Sequence, residues 1–369
     1  SGWNSVGHMD TMRRRRHHVG HCREGEEFLH NVFHVLFQLF SGKEKANLSI
    51  CWLQYEISKV VQCLQTKNKK KLKAQGRKSK KLAKNLLKAP DNRNQLSLWK
   101  LYAYLEWLLG NIDDARKVFD TALCTAGTGG LKSPQLCSLS LLYAQLEVEL
   151  LESLEGAVTS RAVHILTKLA ESGPYVPYSG QVLSVSVLKA RKTYDHALRD
   201  YWGKTPASDQ DQVSDANQLV NLVGCYALFQ YLTVGIDAAV LIYAQTSAKL
   251  EAPAPQKCEN TGENLGIENL PAALEAVTVL HTNLLRFHMN ISVYPLNPLR
   301  EALTQALRRY PSNQSLWRSY IHIQRKSHSA SKARRFFDGV TRSTDSLEPW
   351  LFAIQAEQMR KNLIENVQR

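Results

Sequence analysis

Apolar residues recur with helical spacing along most of the chain, in segments separated by short polar stretches that contain proline. Leu, Ala, Lys, Glu and Gln are common in these segments, and all five residue types favour helix. No alternation of Val, Ile and Thr persists long enough to predict a sheet. The pattern predicts an all-α fold over residues 28–369, with longer loops near 125–134, 171–180, 202–215 and 251–266.

Two distant segments share one spacing of residues, which starts at a Trp. A Tyr, an acidic or amide residue, an Ala-Arg pair and a Phe-Asp pair follow the Trp at the same intervals in both segments. The first copy contains Trp99, Tyr102, Leu105, Glu106, Gly110, Ala115, Arg116, Phe119 and Asp120. The second copy contains Trp317, Tyr320, Ile323, Gln324, Ala333, Arg334, Phe337 and Asp338. Weaker copies start at Trp52, Ser140 and Trp350. An internal repeat of this kind predicts a modular helical protein.

The spacing corresponds to two helices in each copy. The Trp, Tyr and acidic positions fall on one stripe of a first helix, and the Ala and Phe positions fall on one stripe of a second. Gly110 lies between the stripes and can end the first helix in a left-handed conformation. Because one helix pair cannot bury its own apolar face, neighbouring pairs stack. The sequence therefore predicts an α-solenoid of antiparallel, tetratricopeptide-like pairs in which Trp99, Tyr102, Trp317 and Tyr320 are buried, and in which the two alanines allow close helix approach.

The net charge of +14 is concentrated in two segments. Residues 13–16 contribute four cations and residues 67–88 contribute eleven, and neither segment contains an acid. Of the 47 cations, 32 remain outside these segments, against 33 acids. The predicted scaffold is thus close to neutral, so its charge does not imply a nucleic-acid groove along its whole length.

The Lys-rich stretch, treated as an insertion at 67–81, is the main candidate binding segment. Its candidate residues for nuclear import or RNA-phosphate contact are Lys69, Lys70, Lys71, Lys73, Arg77, Lys78, Lys80 and Lys81. A solvated helix extension without a partner is an alternative, and a membrane-surface helix is disfavoured because no aromatic face accompanies the charge. Without aromatic residues, any RNA contact is weak, electrostatic and salt-sensitive. We expect the first cluster to be mobile and the second to begin a helix that ends near Ala89.

The two N-terminal segments differ in character. Residues 1–27 are polar and rich in His and Arg, so we expect disorder there. Residues 28–40 are apolar almost all round, which predicts a buried helix or a docking segment for a partner.

Motifs for catalysis or metal binding are missing from the sequence. The cluster formed by His17, His18, His21 and Cys22 has no second ligand group to complete a zinc site. The seven cysteines form no CxxC pair, which is typical of reduced thiols. Residues 127–133 resemble a phosphate-binding loop, but Leu131 stands where Gly must precede Lys. We therefore expect no enzyme, no cofactor and no metal.

No run of 18 apolar residues is free of charge, so the sequence predicts no membrane-spanning helix. The best candidate, residues 219–244, is interrupted by Gln230, Gly235 and Asp237. A buried helical hairpin is the better interpretation of this segment.

The pattern from Trp99 to Leu123 resembles the half-a-TPR (HAT) repeat of RNA-processing proteins. Within that group, the chain resembles the C-terminal HAT region of the nuclear-RNAi-defective-two (NRDE-two) family. The resemblance is carried by residues 99–111 and 115–120, by the Lys-rich stretch and by residues 85–88. It covers residues 41–369.

The resemblance implies a nuclear, non-enzymatic scaffold in RNA silencing, RNA surveillance and splicing. It implies as partners the exosome-associated RNA helicase, which family members restrain without catalysis, and spliceosomal factors. The family's helicase-contacting segment lies upstream of the repeats, which leaves open whether this chain carries it. A crooked-neck-like splicing or ribosome-biogenesis scaffold is the alternative within the HAT group. An RNA-binding protein acting through residues 67–88 is the alternative outside it, and the oligomeric state stays undetermined.

Overall fold

A computed structural model describes residues 23–65, 68–203, 209–252, 270–293, 295–324 and 330–367. These residues form fifteen α-helices and three short 3₁₀ turns, without a strand, so the prediction of an all-α fold is confirmed for them. The helices are α1 Arg23–Leu39, α2 Gly42–Gln65, α3 Lys69–Lys88, α4 Leu96–Leu108, α5 Ile112–Thr125, α6 Pro134–Val148, α7 Arg161–Glu171, α8 Ser184–Gly203, α9 Asp209–Thr233, α10 Ile236–Glu251, α11 Leu270–Ile291, α12 Leu296–Arg309, α13 Gln314–Gln324, α14 Ala330–Ser343 and α15 Glu348–Val367.

The chain divides into two compact units, residues 1–122 and 123–369, with the boundary inside α5. In the first unit, α1 packs on α2, α2 packs on α3, and α4 contacts both α2 and α3. Its core contains Trp52, Leu53, Ile57, Val60, Ala83, Leu86, Leu98 and Leu105. Short connections between consecutive helices favour packing of this kind.

In the second unit, contacts link consecutive helices and also every second helix. The second kind of contact joins α9 to α11, α11 to α13, and α13 to α15. Helix α6 contacts α9 directly, while α8 packs on α7 and α9 as an additional helix. This pattern is the one expected where the first helices of successive pairs pack side by side.

The turn between α4 and α5 has the geometry that the sequence predicts. Gly110 adopts a left-handed conformation with φ of 82°, and its N–H donates to the Trp107 carbonyl at 2.9 Å. The N–H of Asn111 donates to the Glu106 carbonyl at 3.0 Å. These two hydrogen bonds form a Schellman cap, which satisfies the last carbonyls of α4.

The structure describes only part of the N-terminal region, from residue 23 onward. Residues 1–22 lie outside the described residues, and α1 begins at Arg23, so residues 23–27 are helical. Glu24 and Glu26 lie in the first turn of α1, where carboxylates interact favourably with the helix dipole. Helix α1 has no fully buried residue, which excludes the fully buried alternative for residues 28–40. It packs on the core through Phe33 and Phe37.

The predicted loops are partly helical. Helix α5 ends at Thr125 and α6 begins at Pro134, so the first loop lies where the sequence places it. Helix α9 begins at Asp209, so the second part of the loop predicted at 202–215 is helical. Most of the loop predicted at 251–266 lies outside the described residues, because the description stops at residue 252 and resumes at 270.

Candidate functional site

Helix α3 contains both lysine clusters of the candidate binding segment. Asn68 caps its first turn, because its side-chain oxygen accepts a hydrogen bond from the Lys71 N–H at 3.0 Å. The helix ends at Lys88, followed by Ala89 in an extended conformation, close to the predicted end. The expectation that the helix begins only at the second cluster is wrong, because Lys69 already belongs to the helix. The N-cap, and the packing of Leu72 against the core, account for this difference.

The inner side of α3 consists of small, apolar and uncharged polar residues. Gly76, Ser79, Ala83 and Leu86 are buried. Ser79 Oγ donates to Glu56 Oε2 at 3.0 Å, and Gln75 Nε2 donates to the same oxygen at 2.7 Å. Glu56 lies on α2 and is 2% exposed. Burial and these hydrogen bonds hold α3 in place, because its outer face contributes only like charges.

Glu56 also takes part in an ionic cluster that reaches α1. Its Oε1 lies 2.6 Å from Lys59 Nζ and 3.3 Å from His30 Nε2. Lys59 Nζ lies 3.3 Å from His30 Nε2, and this contact is a hydrogen bond when the ring nitrogen is unprotonated. Burial lowers the pKa of His30 and the positive charge of Lys59 lowers it further, which outweighs the opposite effect of Glu56 and Glu26. The neutral imidazole is therefore the form that fits this position.

We expect the first unit to lose stability as the pH falls below the pKa of an ordinary histidine. A lowered pKa in the folded state means that the unfolded chain binds a proton first, so stabilisation is present above pH 6.5 and decreases as the pH falls. Thermal midpoints of the parent and of His30→Gln, measured between about pH 7.5 and 5.5, should diverge at high pH and converge at low pH. The difference between the two proteins isolates His30 from other histidines. Parallel curves would contradict the assignment.

One candidate cation of α3 is used inside the fold. Lys80 Nζ lies 3.0 Å from Glu106 Oε2, and Glu106 is 2% exposed. Asn111 Nδ2 donates to the same oxygen at 2.7 Å. Among the described residues, the other candidates have no acidic partner, and their side chains face solvent. These residues are Lys69, Lys70, Lys71, Lys73, Arg77, Lys78 and Lys81.

The predicted aromatic positions are confirmed in the second unit and partly in the first. Trp317 and Tyr320 are buried, whereas Trp99 and Tyr102 are only half-buried. The indole N–H of Trp317 donates to the Pro311 carbonyl at 2.7 Å, and that of Trp99 donates to the Arg93 carbonyl at 2.9 Å. Each bond reaches back six residues. The two copies therefore share a backbone contact as well as a spacing.

The structure also shows how deeply the second-helix residues of the repeat are buried. Ala115 and Phe119 are fully buried, and Phe337 is nearly so, while Ala333 is half-buried. The Phe337 ring stacks on Trp317 with centroids 5.0 Å apart. Arg334 on α14 forms two hydrogen bonds with Glu357 on α15, at 2.7 and 2.8 Å. Arg116 lies 3.4 Å from Asp113 on its own helix. Phe337 and Arg334 therefore contact neighbouring helices, whereas the Arg116 ion pair stays within its own helix.

The glycine-rich segment before α6 does not form a phosphate cradle. The N–H groups of Lys132 and Ser133 donate to the carbonyls of Gly129 and Gly130, at 3.2 Å each. Ser133 caps α6 by accepting from the Leu136 N–H. These backbone donors are therefore occupied within the turn, as expected of an inter-helix connection.

Metal-ligating side chains are not clustered in the described part of the chain. No group of three or more His, Cys, Asp or Glu residues there could hold a metal ion. The predicted cluster at His17, His18, His21 and Cys22 lies outside the described residues. None of the described cysteines, Cys51, Cys63, Cys124, Cys137 and Cys225, forms a disulfide. None of the described helices combines the length and apolar character needed to cross a bilayer.

Comparison with curated proteins identifies two close relatives. The human protein named "Nuclear exosome regulator NRDE2" is 60% identical over 369 residues, which is 100% of this chain and 32% of the relative. The mouse protein of the same name is 59% identical over 369 residues and is covered over 31% of its length. The chain thus spans about a third of the length of these relatives. No family model matches the chain, and no solved structure matches it.

Proposed function

The chain belongs to the NRDE-two family, as its identity to the human and mouse relatives over all 369 residues shows, and from this premise we propose that it acts in the regulation of the nuclear exosome. The observation that carries the proposal is 60% identity to a protein named as a nuclear exosome regulator. The proposal places the chain in the nucleus, as a scaffold in RNA surveillance, RNA silencing and splicing. Its proposed partners are the exosome-associated RNA helicase and spliceosomal factors.

The proposed scaffold is an α-solenoid of HAT-type helix pairs. Packing of α9, α11, α13 and α15 on one another supports it within the second unit. A recurrent ion pair supports it as well: a basic residue of a second helix meets a glutamate of the next first helix, as in Lys80–Glu106 and Arg334–Glu357. Repetition of one contact between successive pairs is characteristic of repeat proteins.

The scaffold is proposed to act without catalysis. The polar clusters described above connect helices: Glu56 joins α1, α2 and α3, and Glu106 joins α3 and α4. The two carboxylates are buried and engaged by neighbouring side chains, which supports a structural role for them. A regulator that works by binding needs surfaces, and the helix pairs provide those.

The test is recovery of partners from nuclear extract. A tagged chain is purified from nuclease-treated extract, with an unrelated helical-repeat protein carrying the same tag as the control. We expect exosome subunits or their RNA helicase to be enriched in a nuclease-resistant manner, as mass spectrometry would show. Recovery of spliceosomal proteins without exosome components would instead favour the crooked-neck-like alternative, and recovery of pre-ribosomal proteins the ribosome-biogenesis alternative.

A further inference from the structure

The outer face of α3 carries a continuous row of cations, which we call the basic stripe. It consists of Lys70, Lys73, Arg77, Lys81, Lys84 and Lys88. At about 100° per residue these positions lie within roughly 80° of one another around the helix axis. All six residues are exposed, and none has an acidic partner among the described residues. At 1.5 Å per residue the row is roughly 27 Å long.

The stripe contributes nothing favourable to the stability of α3. Successive members are three or four residues apart, which is the spacing at which like charges repel on a helix. Lys69, Lys70 and Lys71 also lie at the N-terminus, where the helix dipole disfavours cations. The hydrogen bonds to Glu56 and the packing of Leu86 on the buried inner side offset this repulsion. A polyanion placed along the stripe would relieve the repulsion.

The surroundings of the stripe favour a nucleic-acid backbone over a protein. Protein interfaces have an apolar, often aromatic centre and are depleted in lysine. Helix α3 has no aromatic residue, and its leucines pack against the core. Lysines in a regular row suit phosphates instead, because phosphate binding requires charge and no specific side-chain shape. A folded helix also cannot extend into an import receptor that reads basic clusters in an extended conformation.

The same features favour a double strand over a single strand. Proteins that bind single strands stack bases on aromatic side chains, and the stripe offers none. Recognition of double-stranded RNA depends on shape and on contacts to phosphates and 2′-hydroxyls. A row of five ammonium groups and one guanidinium, presented along one helix, can follow a line of phosphates on such a duplex.

We propose that the basic stripe of α3 is a binding site for the phosphate backbone of double-stranded RNA. The contact is sequence-independent and uses the six exposed cations, while Lys80 stays paired with Glu106 inside the fold. The site does not depend on exosome regulation. Failure to recover exosome components would overturn the proposed function and leave this site standing.

The experiment compares two triple variants that remove equal charge from the same helix. The stripe variant is Lys73→Gln, Lys81→Gln and Lys84→Gln. The matched control is Lys69→Gln, Lys71→Gln and Lys78→Gln, whose positions flank the stripe and are equally exposed. Binding to a labelled RNA duplex longer than the stripe is measured by fluorescence anisotropy across a range of salt concentrations. Circular dichroism and thermal melts confirm that both variants fold.

We expect the stripe variant to reduce the slope of log affinity against log salt by about 2.7, which is 0.9 for each of three phosphate contacts. A fourfold rise in salt should then cost the parent about 40-fold more affinity than the variant. The flanking variant should retain most of the parental slope. Replacing the same three stripe lysines by Arg should restore it, because the charge is kept.

Three results would overturn the proposal. Equal losses in the two variants would mean that diffuse charge, not the stripe, attracts RNA. Equal affinity for a single strand of the same charge would remove the preference for a duplex. Displacement of the RNA by polyglutamate at equal charge concentration would point to an acidic protein as the ligand.

Discussion

Replacing Trp317 by Ala should destabilise the C-terminal part of the second unit by about 3–5 kcal/mol, the usual cost of truncating a buried aromatic residue. Trp317 is fully buried and lies between the rings of Phe337 and Phe352, at centroid distances of 5.0 and 6.1 Å. Its removal leaves a cavity between three helices. It also leaves the Pro311 carbonyl without its indole donor. Both effects act on α13, α14 and α15 together.

Trp350 provides the matched control, because it occupies the equivalent position one repeat later and is 53% exposed. Replacing Trp350 by Ala should change stability by less than about 1 kcal/mol, as expected for a surface residue. Because a chain of several units need not unfold in one step, hydrogen exchange of α12–α15 peptides in low urea is the appropriate measurement. Similar losses of protection in the two variants would contradict the packing described here. A Trp317→Phe variant should show an intermediate loss, since it keeps the stacking and loses the indole N–H.

The repeat could be predicted from sequence because its spacing reflects one helix pair. Trp, Ala and Phe at these fixed intervals correspond to stripes on two helices. Gly110 was predictable for a related reason, since a left-handed position at the end of a helix favours glycine. The all-α fold of the described residues and the turn after α4 therefore follow from local sequence.

Burial of Trp99 did not follow from the same spacing. Trp317 is enclosed because α14 and α15 each contribute a phenylalanine ring. Trp99 keeps the indole hydrogen bond but is only half-buried. How far a repeat position is buried depends on side chains of neighbouring pairs, which the spacing within one pair does not specify.

The copy that the sequence analysis starts at Trp52 begins three residues earlier, at Ser49, when it is aligned by buried positions. The sequence alone favours Trp52 as the starting residue, because the other clear copies start with Trp. In the structure, Glu56 is buried like Glu106 and Glu147. Seven residues before Glu56 stands Ser49, which is buried, as is Ser140 seven residues before Glu147. The buried glutamate is therefore shared by these three helix pairs, whereas a Trp at the origin is not.

The main wrong expectation at the candidate site was that residues 69–71 lie outside a helix. These residues are a run of like charges, which by itself favours an extended, solvated segment. Tertiary contacts outweigh that tendency, because Leu72, Gly76 and Ser79 lie on the inner side of α3. The basic stripe exists only because the segment is helical, so its geometry could not be inferred from charge content.

Replacing Lys80 by Ala should destabilise the first unit by roughly 1–3 kcal/mol, since a buried carboxylate would lose its cation. Glu106 is 2% exposed and would keep its hydrogen bonds with the Asn111 amide and Tyr102 but no cation among those described. The adjacent Lys81→Ala variant is the control, because Lys81 is exposed and lies among like charges. Its removal should leave stability within about 0.5 kcal/mol of the parent. Chemical denaturation, followed by hydrogen exchange of α3 and α4 peptides, measures both changes.

A double-mutant cycle separates the ion pair from other effects of truncation. In a Glu106→Gln background the partner is neutral, so Lys80→Ala should cost much less than in the parent, with a coupling energy on the order of 1 kcal/mol or more. The two lysines should also differ in RNA binding. Lys81→Ala should lower the salt slope by about 0.9, whereas Lys80→Ala should leave it unchanged in conditions where the protein is folded. If both substitutions weakened RNA binding equally and neither affected stability, Lys80 would belong to the stripe, and the ion pair with Glu106 would not hold α3 against α4.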